Sequence, residues 1–224
     1  MSPRRAHDVS SPDRRPAAGA ASFIPAILAL ALLAAPACLA GASGGAELPI
    51  GAPGPAFSLK GTDGKAHALA SDKGSKGTAV IFTCNTCPYS QGYEARLIAL
   101  ARDYQPQGIA FIAINANDAK TVPGDSFDKM VERAREKDYP FPYLQDETQA
   151  TAAAYGAKVT PHIFLLDAQG TLVYRGRVDD SLEEGKVTKR EFTDALGALA
   201  AGKPIPAAET KAFGCGVKWA KKVA

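Results

Sequence analysis

Cys84 and Cys87 are separated by two residues in the run Thr83-Cys84-Asn85-Thr86-Cys87-Pro88. Two thiols at that spacing can close into a disulfide and reopen. The chemistry needs one of them as a thiolate, the form that attacks a disulfide sulfur. It needs the other close enough to resolve the mixed disulfide that results. The apolar run from Thr78 to Phe82 before the motif reads as a buried strand. After it, Tyr93, Leu97, Leu100 and Tyr104 recur at helical spacing. The pair therefore falls on a strand-to-helix turn, where free N–H groups and the positive end of a helix favour a thiolate. Cys84, at the outer end, is the expected nucleophile, the more exposed and more acidic thiol. Cys87 is the shielded, resolving one. Pro88 suits the first helical turn, where its missing N–H costs little. A structural disulfide and half of a zinc site are the bland alternatives. Zinc requires two further ligands, and Cys215, His67 and His162 each stand alone in the sequence.

The elements that must position this turn are readable on both sides of it. The chain has 224 residues and a net charge of +3, enough for one ordinary domain with extensions. Residues 1–40 carry Arg4, Arg5, Arg14 and Arg15 ahead of an apolar stretch, Phe23 to Ala40, that ends in small residues. That order is an export signal, or a membrane anchor if it is not cleaved. Ala35-Pro36-Ala37-Cys38 also offers a lipidation site at Cys38. The remainder has 22 basic and 21 acidic residues, a balance that gives no reason to expect nucleic acid. Residues 41–54 read as a linker, 55–202 as the domain and 203–224 as an irregular tail. Pro55 to Leu59 and Lys65 to Leu69 flank the turn Gly61-Thr62-Asp63-Gly64 as an N-terminal hairpin. Residues 71–77 read as a loop. Ile109 to Asn115 is a second buried strand, parallel to the first through the intervening helix. Ser126 caps a helix with Phe127, Met130, Val131 and Ala134 on one face. A short strand (Tyr143 to Gln145), a helix ended by Gly156, and a hairpin from Ile163 to Arg177 follow. Thr188 caps the last helix.

Taken together, these residues resemble the thioredoxin superfamily, specifically its redoxin branch of alkyl hydroperoxide reductase/thiol-specific antioxidant proteins and exported thioredoxin-like proteins. The resemblance covers residues 48 to 201. It is carried by the strand–C-x-x-C–helix unit, by Thr160-Pro161 before a strand, and by Gly51-Ala52-Pro53-Gly54-Pro55-Ala56-Phe57. It implies an α/β thioredoxin-like fold: a central mixed β-sheet flanked by helices on both faces, with the N-terminal β-hairpin as an extension. It also implies that Pro161 is cis and lies against the cysteine pair, where the Thr160–Pro161 backbone edge can pair with an extended substrate segment. Two departures stand out. Thr83 precedes the first cysteine with Asn85-Thr86 between the pair, and the preceding strand has no acidic residue. Asn85, Thr86, His162 and Cys215 are auxiliary candidates, with His162 either a proton donor or a structurally bonded residue and Cys215 either a packing residue or a redox partner.

Three functions compete. The leading one is an exported thiol–disulfide oxidoreductase acting on protein thiols and disulfides, with a separate redox donor or acceptor and no cofactor or bound metal. The second is a thiol peroxidase, resembling peroxiredoxins. Their P-x-x-x-[ST]-x-x-C pattern does not fit here, because Ile81 and Gly77 stand where counting back from Cys84 requires Thr/Ser and Pro. The third is copper delivery through Cys84, Cys87 and His162, soft ligands suited to Cu(I).

Overall fold

The structure, a computed structural model, describes residues 45–221. The leader and Cys38 lie outside the described residues. Within them, no helix is long and apolar enough to cross a membrane.

A seven-stranded mixed sheet organises the domain. Its centre is β3 (Gly77–Phe82), followed by α2 (Pro88–Tyr104) and β4 (Ile109–Asn115). β3 and β4 pair in parallel, with Ala79 opposite Phe111 and Phe82 opposite Ile114. β5 (Tyr143–Gln145) continues the parallel run beyond β4. On the other side β7 (His162–Asp167) and β8 (Leu172–Gly176) add an antiparallel hairpin. The N-terminal hairpin, β1 (Ser58–Gly61) with β2 (Ala66–Ala68), extends the far edge beside β5.

Period-two alternation sends neighbouring β3 side chains into two separate cores. Ala79 and Ile81 join Tyr93, Leu97, Met130 and Phe192, from α2, α3 (Phe127–Glu136) and α5 (Glu191–Ala200). Val80 and Phe82 join Phe164, Tyr155 and Ala152, with α4 (Ala150–Tyr155) and α1 (Leu69–Asp72) on that face. Both faces are thus covered by helices. This explains why every residue of β3 is buried and why the strand reads as an unbroken apolar run rather than an alternating one.

Several local expectations need correction. Residues 45–54 do not hang as a free linker. The N–H groups of Leu48, Gly51 and Gly54 donate to Tyr155, Leu172 and Gly170, and Pro53 bridges Thr171. Residues 69–72 form a helical turn where a loop is expected. Ser126 occupies the N-cap position of α3 but makes no side-chain cap bond, and Val131 faces solvent. α5 begins only at Glu191, because Thr188 spends its hydroxyl on Asp180. The tail is not irregular throughout. Residues 208–210 run along β8, with Arg175 N–H donating to Ala208 and Thr210 N–H to Arg175. The chain then forms β9 (Cys215–Gly216), antiparallel to β6 (Val159–Thr160). Gly214 permits that approach, since a Cβ there would sit 2.1 Å from the Thr160 carbonyl oxygen.

Candidate redox site

The carboxyl ends of the parallel strands β3 and β4 lie side by side, so the segments following them meet. From β3 comes the cysteine turn. From β4 comes a polar loop ending in Pro123-Gly124-Asp125. Asp125 is almost fully buried, and five donors converge on its carboxylate. They are the N–H groups of Asn85 (2.7 Å) and Thr86 (3.2 Å), the Thr86 hydroxyl (2.8 Å), and the amides of Asn117 (2.8 Å) and Asn115 (3.4 Å). Asn85 is tied further. Its amide donates to the Gly124 carbonyl at 3.0 Å, its Oδ1 accepts from Tyr143 at 3.0 Å, and its carbonyl accepts from Gln91 at 2.7 Å. Asn85 and Thr86 therefore fix the turn's shape through Asp125. The sequence reading missed Asp125. The signal was available in the parallel pairing itself, which brings a residue after β4 to the motif that follows β3.

α2 begins at Pro88, as the sequence suggests, so Cys87 is its N-cap. Cys84 and Cys87 are both buried, 4% and 2% exposed, and the expectation of an exposed Cys84 is not met. Cys84 Sγ lies 3.3 Å from Thr160 Oγ1, and Cys87 Sγ lies 3.1 Å from the Thr160 carbonyl oxygen. Thr160–Pro161 is cis, and Thr160 touches both sulfurs.

Hydrogen bonding to Cys87 pushes the Cys84 thiol up, with burial and the charge of Asp125 adding to the rise. Cys87 is pulled down to about 4, first by Cys84, then by the Cys215 side chain and the N–H groups of Ser90 and Cys215. Cys87 Sγ in turn donates to the Thr160 carbonyl oxygen, a bond that favours its protonated form. The N–H of Ser90, in the first turn of α2, reaches Cys87, while those of Asn85 and Thr86 are committed to Asp125.

His162 does not join the sulfurs. It is buried, its Nδ1 faces the Lys158 N–H at 3.5 Å, and it lines a cleft of about 690 Å³ with Lys158, Arg175 and Glu209. Burial and the charges of Arg175 and Lys158 lower it to about 3, so it is neutral near pH 7, and of the two sequence readings the structurally bonded histidine fits its place. Among the described residues no group of three His, Cys, Asp or Glu side chains is arranged to hold a metal ion. Cys215, by contrast, is brought to the pair. β9 sets it opposite Thr160, half-exposed, beside the residue whose carbonyl oxygen Cys87 Sγ meets at 3.1 Å. The Thr160 edge expected to receive a substrate strand is therefore occupied by the chain's own tail.

The AhpC/TSA family matches residues 50–175, more than half of the chain. The chain belongs to the AhpC/TSA family. This redoxin also resembles solved structures over most of its length. An uncharacterized conserved protein from Geobacillus kaustophilus is 41% identical, with 79% of this chain and 94% of that one covered and a TM-score of 0.74. A hypothetical protein from Sinorhizobium meliloti 1021 is 35% identical over 78% of this chain and 96% of that one, also with a TM-score of 0.74. At the level of fold alone, the thioredoxin domain of a thiol-disulfide oxidoreductase from Bacteroides vulgatus aligns with a TM-score of 0.50 at 17% identity, covering 58% of this chain and 89% of that one. No functionally curated protein matches the redoxin significantly. Family and fold together make the chain a thioredoxin-like redox protein.

Proposed function

We propose that this redoxin is an exported thiol–disulfide oxidoreductase that exchanges disulfides with protein substrates through Cys84 and Cys87. The observation that carries the reading is the convergence of both sulfurs on Thr160 at the start of α2, Cys84 Sγ lying 3.3 Å from its Oγ1 and Cys87 Sγ 3.1 Å from its carbonyl oxygen. Cys84 gives up its proton to water, and Cys87 keeps its own. The Cys84 thiolate attacks a substrate disulfide, forming a mixed disulfide and releasing one substrate thiolate, which takes up the Cys87 proton. The Cys87 thiolate then attacks Cys84 Sγ. The second substrate thiolate leaves, and the substrate is reduced as the pair is oxidised. A separate dithiol partner restores the pair.

A peroxidase reading is less well supported. Peroxide cleavage calls for free donors aimed at the departing oxygen, whereas the N–H groups of Asn85 and Thr86 are spent on Asp125. The export part rests on the leader-like residues 1–40, with an uncleaved anchor or Cys38 lipidation as the alternatives for membrane attachment. Cell fractionation of the full-length protein tests it, and recovery in the cytoplasm alone would overturn it. For the chemistry, the test is reduction of insulin disulfides. Wild type is expected to turn over with a dithiol donor and Cys84→Ser to lose turnover. Equal rates in the two proteins would remove the assignment.

A further inference from the structure

Cys215 is used by nothing described so far, yet the fold takes trouble to place it. The tail passes along β8, where Gly176, at φ +146°, has no side chain to meet Thr210. It then pairs with β6 so that Cys215 stands opposite Thr160, and Gly214 removes the one Cβ that would strike the Thr160 carbonyl. Downstream, Val217 N–H donates to the Lys158 carbonyl at 3.0 Å. The Lys218 carbonyl accepts from Asp118 N–H at 2.8 Å and from the Gln149 amide at 2.9 Å. Upstream, Phe213 packs on Tyr89 and Tyr93, with ring centroids 5.9 and 6.2 Å away. Held from both sides, Cys215 stands opposite Thr160, the residue whose carbonyl oxygen lies 3.1 Å from Cys87 Sγ, and its side chain and N–H both act on the Cys87 thiol. A cysteine retained only for packing needs no such alignment along the edge beside the reactive pair.

We propose that Cys215 is a third redox cysteine, set by β9 in the place a substrate thiol would take along β6. It exchanges with the Cys84–Cys87 disulfide to give a Cys87–Cys215 disulfide and a free Cys84. The Cys215 thiol gives up its proton and its sulfur attacks Cys87 Sγ. The Cys84–Cys87 bond breaks, its electron pair goes to Cys84 Sγ, and Cys84 takes up a proton. One disulfide and one thiol enter and one of each leaves, so the step needs no oxidant or reductant. Its consequence is access. Cys84 and Cys87 are buried while Cys215 is half-exposed. The exchange carries the oxidised state to the sulfur that an external dithiol partner meets first. Cys87 is the hub, bonded in turn to the substrate-facing Cys84 and the partner-facing Cys215.

This inference rests on the oxidoreductase reading, and disulfide mapping separates the two. Trypsin leaves Cys84 and Cys87 together in peptide 77–96 and Cys215 in peptide 212–218. The full-length protein is oxidised with diamide, acid-quenched, alkylated and mapped. Wild type is expected to yield both the internally bridged peptide 77–96 and a cross-link between 77–96 and 212–218. Cys84→Ser is expected to yield the cross-link alone, with loss of alkylation at Cys87 and Cys215. Cys215→Ser is expected to yield only the internal bridge. An internal bridge in wild type and in Cys215→Ser, with no cross-link in wild type or in Cys84→Ser, overturns the role of Cys215 and leaves the oxidoreductase reading standing. No internal bridge in Cys215→Ser overturns both. In the wild-type cross-link the alkyl label is expected on Cys84, and absence of that cross-link from wild type, or its label on Cys87, overturns the role of Cys215 however the variants fold.

Discussion

Replacing Asp125 with Asn removes the charge that organises the cysteine turn while keeping the shape of the side chain. The asparagine Oδ1 can still accept from the N–H groups of Asn85 and Thr86. Its Nδ2 end, however, confronts the Asn117 amide and the Thr86 hydroxyl, which now donate to the other carboxylate oxygen. Thr86 can rotate its hydroxyl to accept, so the net loss is one to two bonds to a charged acceptor, less what reorientation recovers. At about 1.5–3 kcal/mol per bond to a charged group, that amounts to roughly 2–4 kcal/mol. For a domain of this size each kcal/mol moves Tm by about 2–4 °C, so the reduced variant is expected to melt roughly 5–15 °C lower. The same substitution removes a charge that raises the Cys84 thiol, so Cys84 is expected to become more acidic and to alkylate faster at neutral pH. Thermal unfolding and pH-dependent alkylation with peptide mapping read both effects. A melting temperature within about 2 °C of wild type, together with an unchanged Cys84 profile, would show that Asp125 does not hold the turn.

The reduced protein is expected to keep one thiolate absorbance down to about pH 4, the value of Cys87. Because this pKa is depressed on folding, its contribution to stability is present above the ordinary thiol range and is lost as pH falls through about 4. Titration beginning only in the ordinary thiol range would contradict it. His67 would be lowered by burial alone, but its bonds to Asp72 and Asp63 win and raise it. Its contribution is therefore full below the unfolded value near 6.5 and is lost as pH rises through the raised folded value. His67→Ala should flatten that part of the stability–pH profile, and an unchanged slope would count against the ion pairs. Gly214→Val should drive β9 off β6, since even a Cβ meets the Thr160 carbonyl oxygen at 2.1 Å. Alkylation of Cys84 and Cys87 should then accelerate at least several-fold, and equal rates would mean that the tail does not shield them.

The place of the cysteine pair on a strand-to-helix turn and the central strands were legible because their signals are local. The apolar run at Thr78–Phe82, the helical spacing of Tyr93 and Leu97, and the two-residue gap between cysteines each lie within one stretch of chain. The start of α2 at Pro88 was legible too, because a proline suits the first helical turn. The parts that were not legible depend on where distant segments meet. Asp125 looks like any acid in a polar loop until the pairing of β3 with β4 brings it under Asn85 and Thr86. The tail lacks any periodic pattern, and β9 exists only because β6 offers an edge and Gly214 can approach it. His162 beside Pro161 looked close to the sulfurs, but strand alternation turns it toward Arg175 instead.

The most direct test of the account is to trap its central intermediate. Reduced full-length Cys87→Ser, mixed with a protein disulfide substrate such as insulin and quenched with acid, should accumulate a mixed disulfide that maps to Cys84. Absence of any adduct at Cys84, with hydrogen peroxide instead oxidising that residue at peroxidase-like rates, would contradict disulfide exchange as the chemistry of this site.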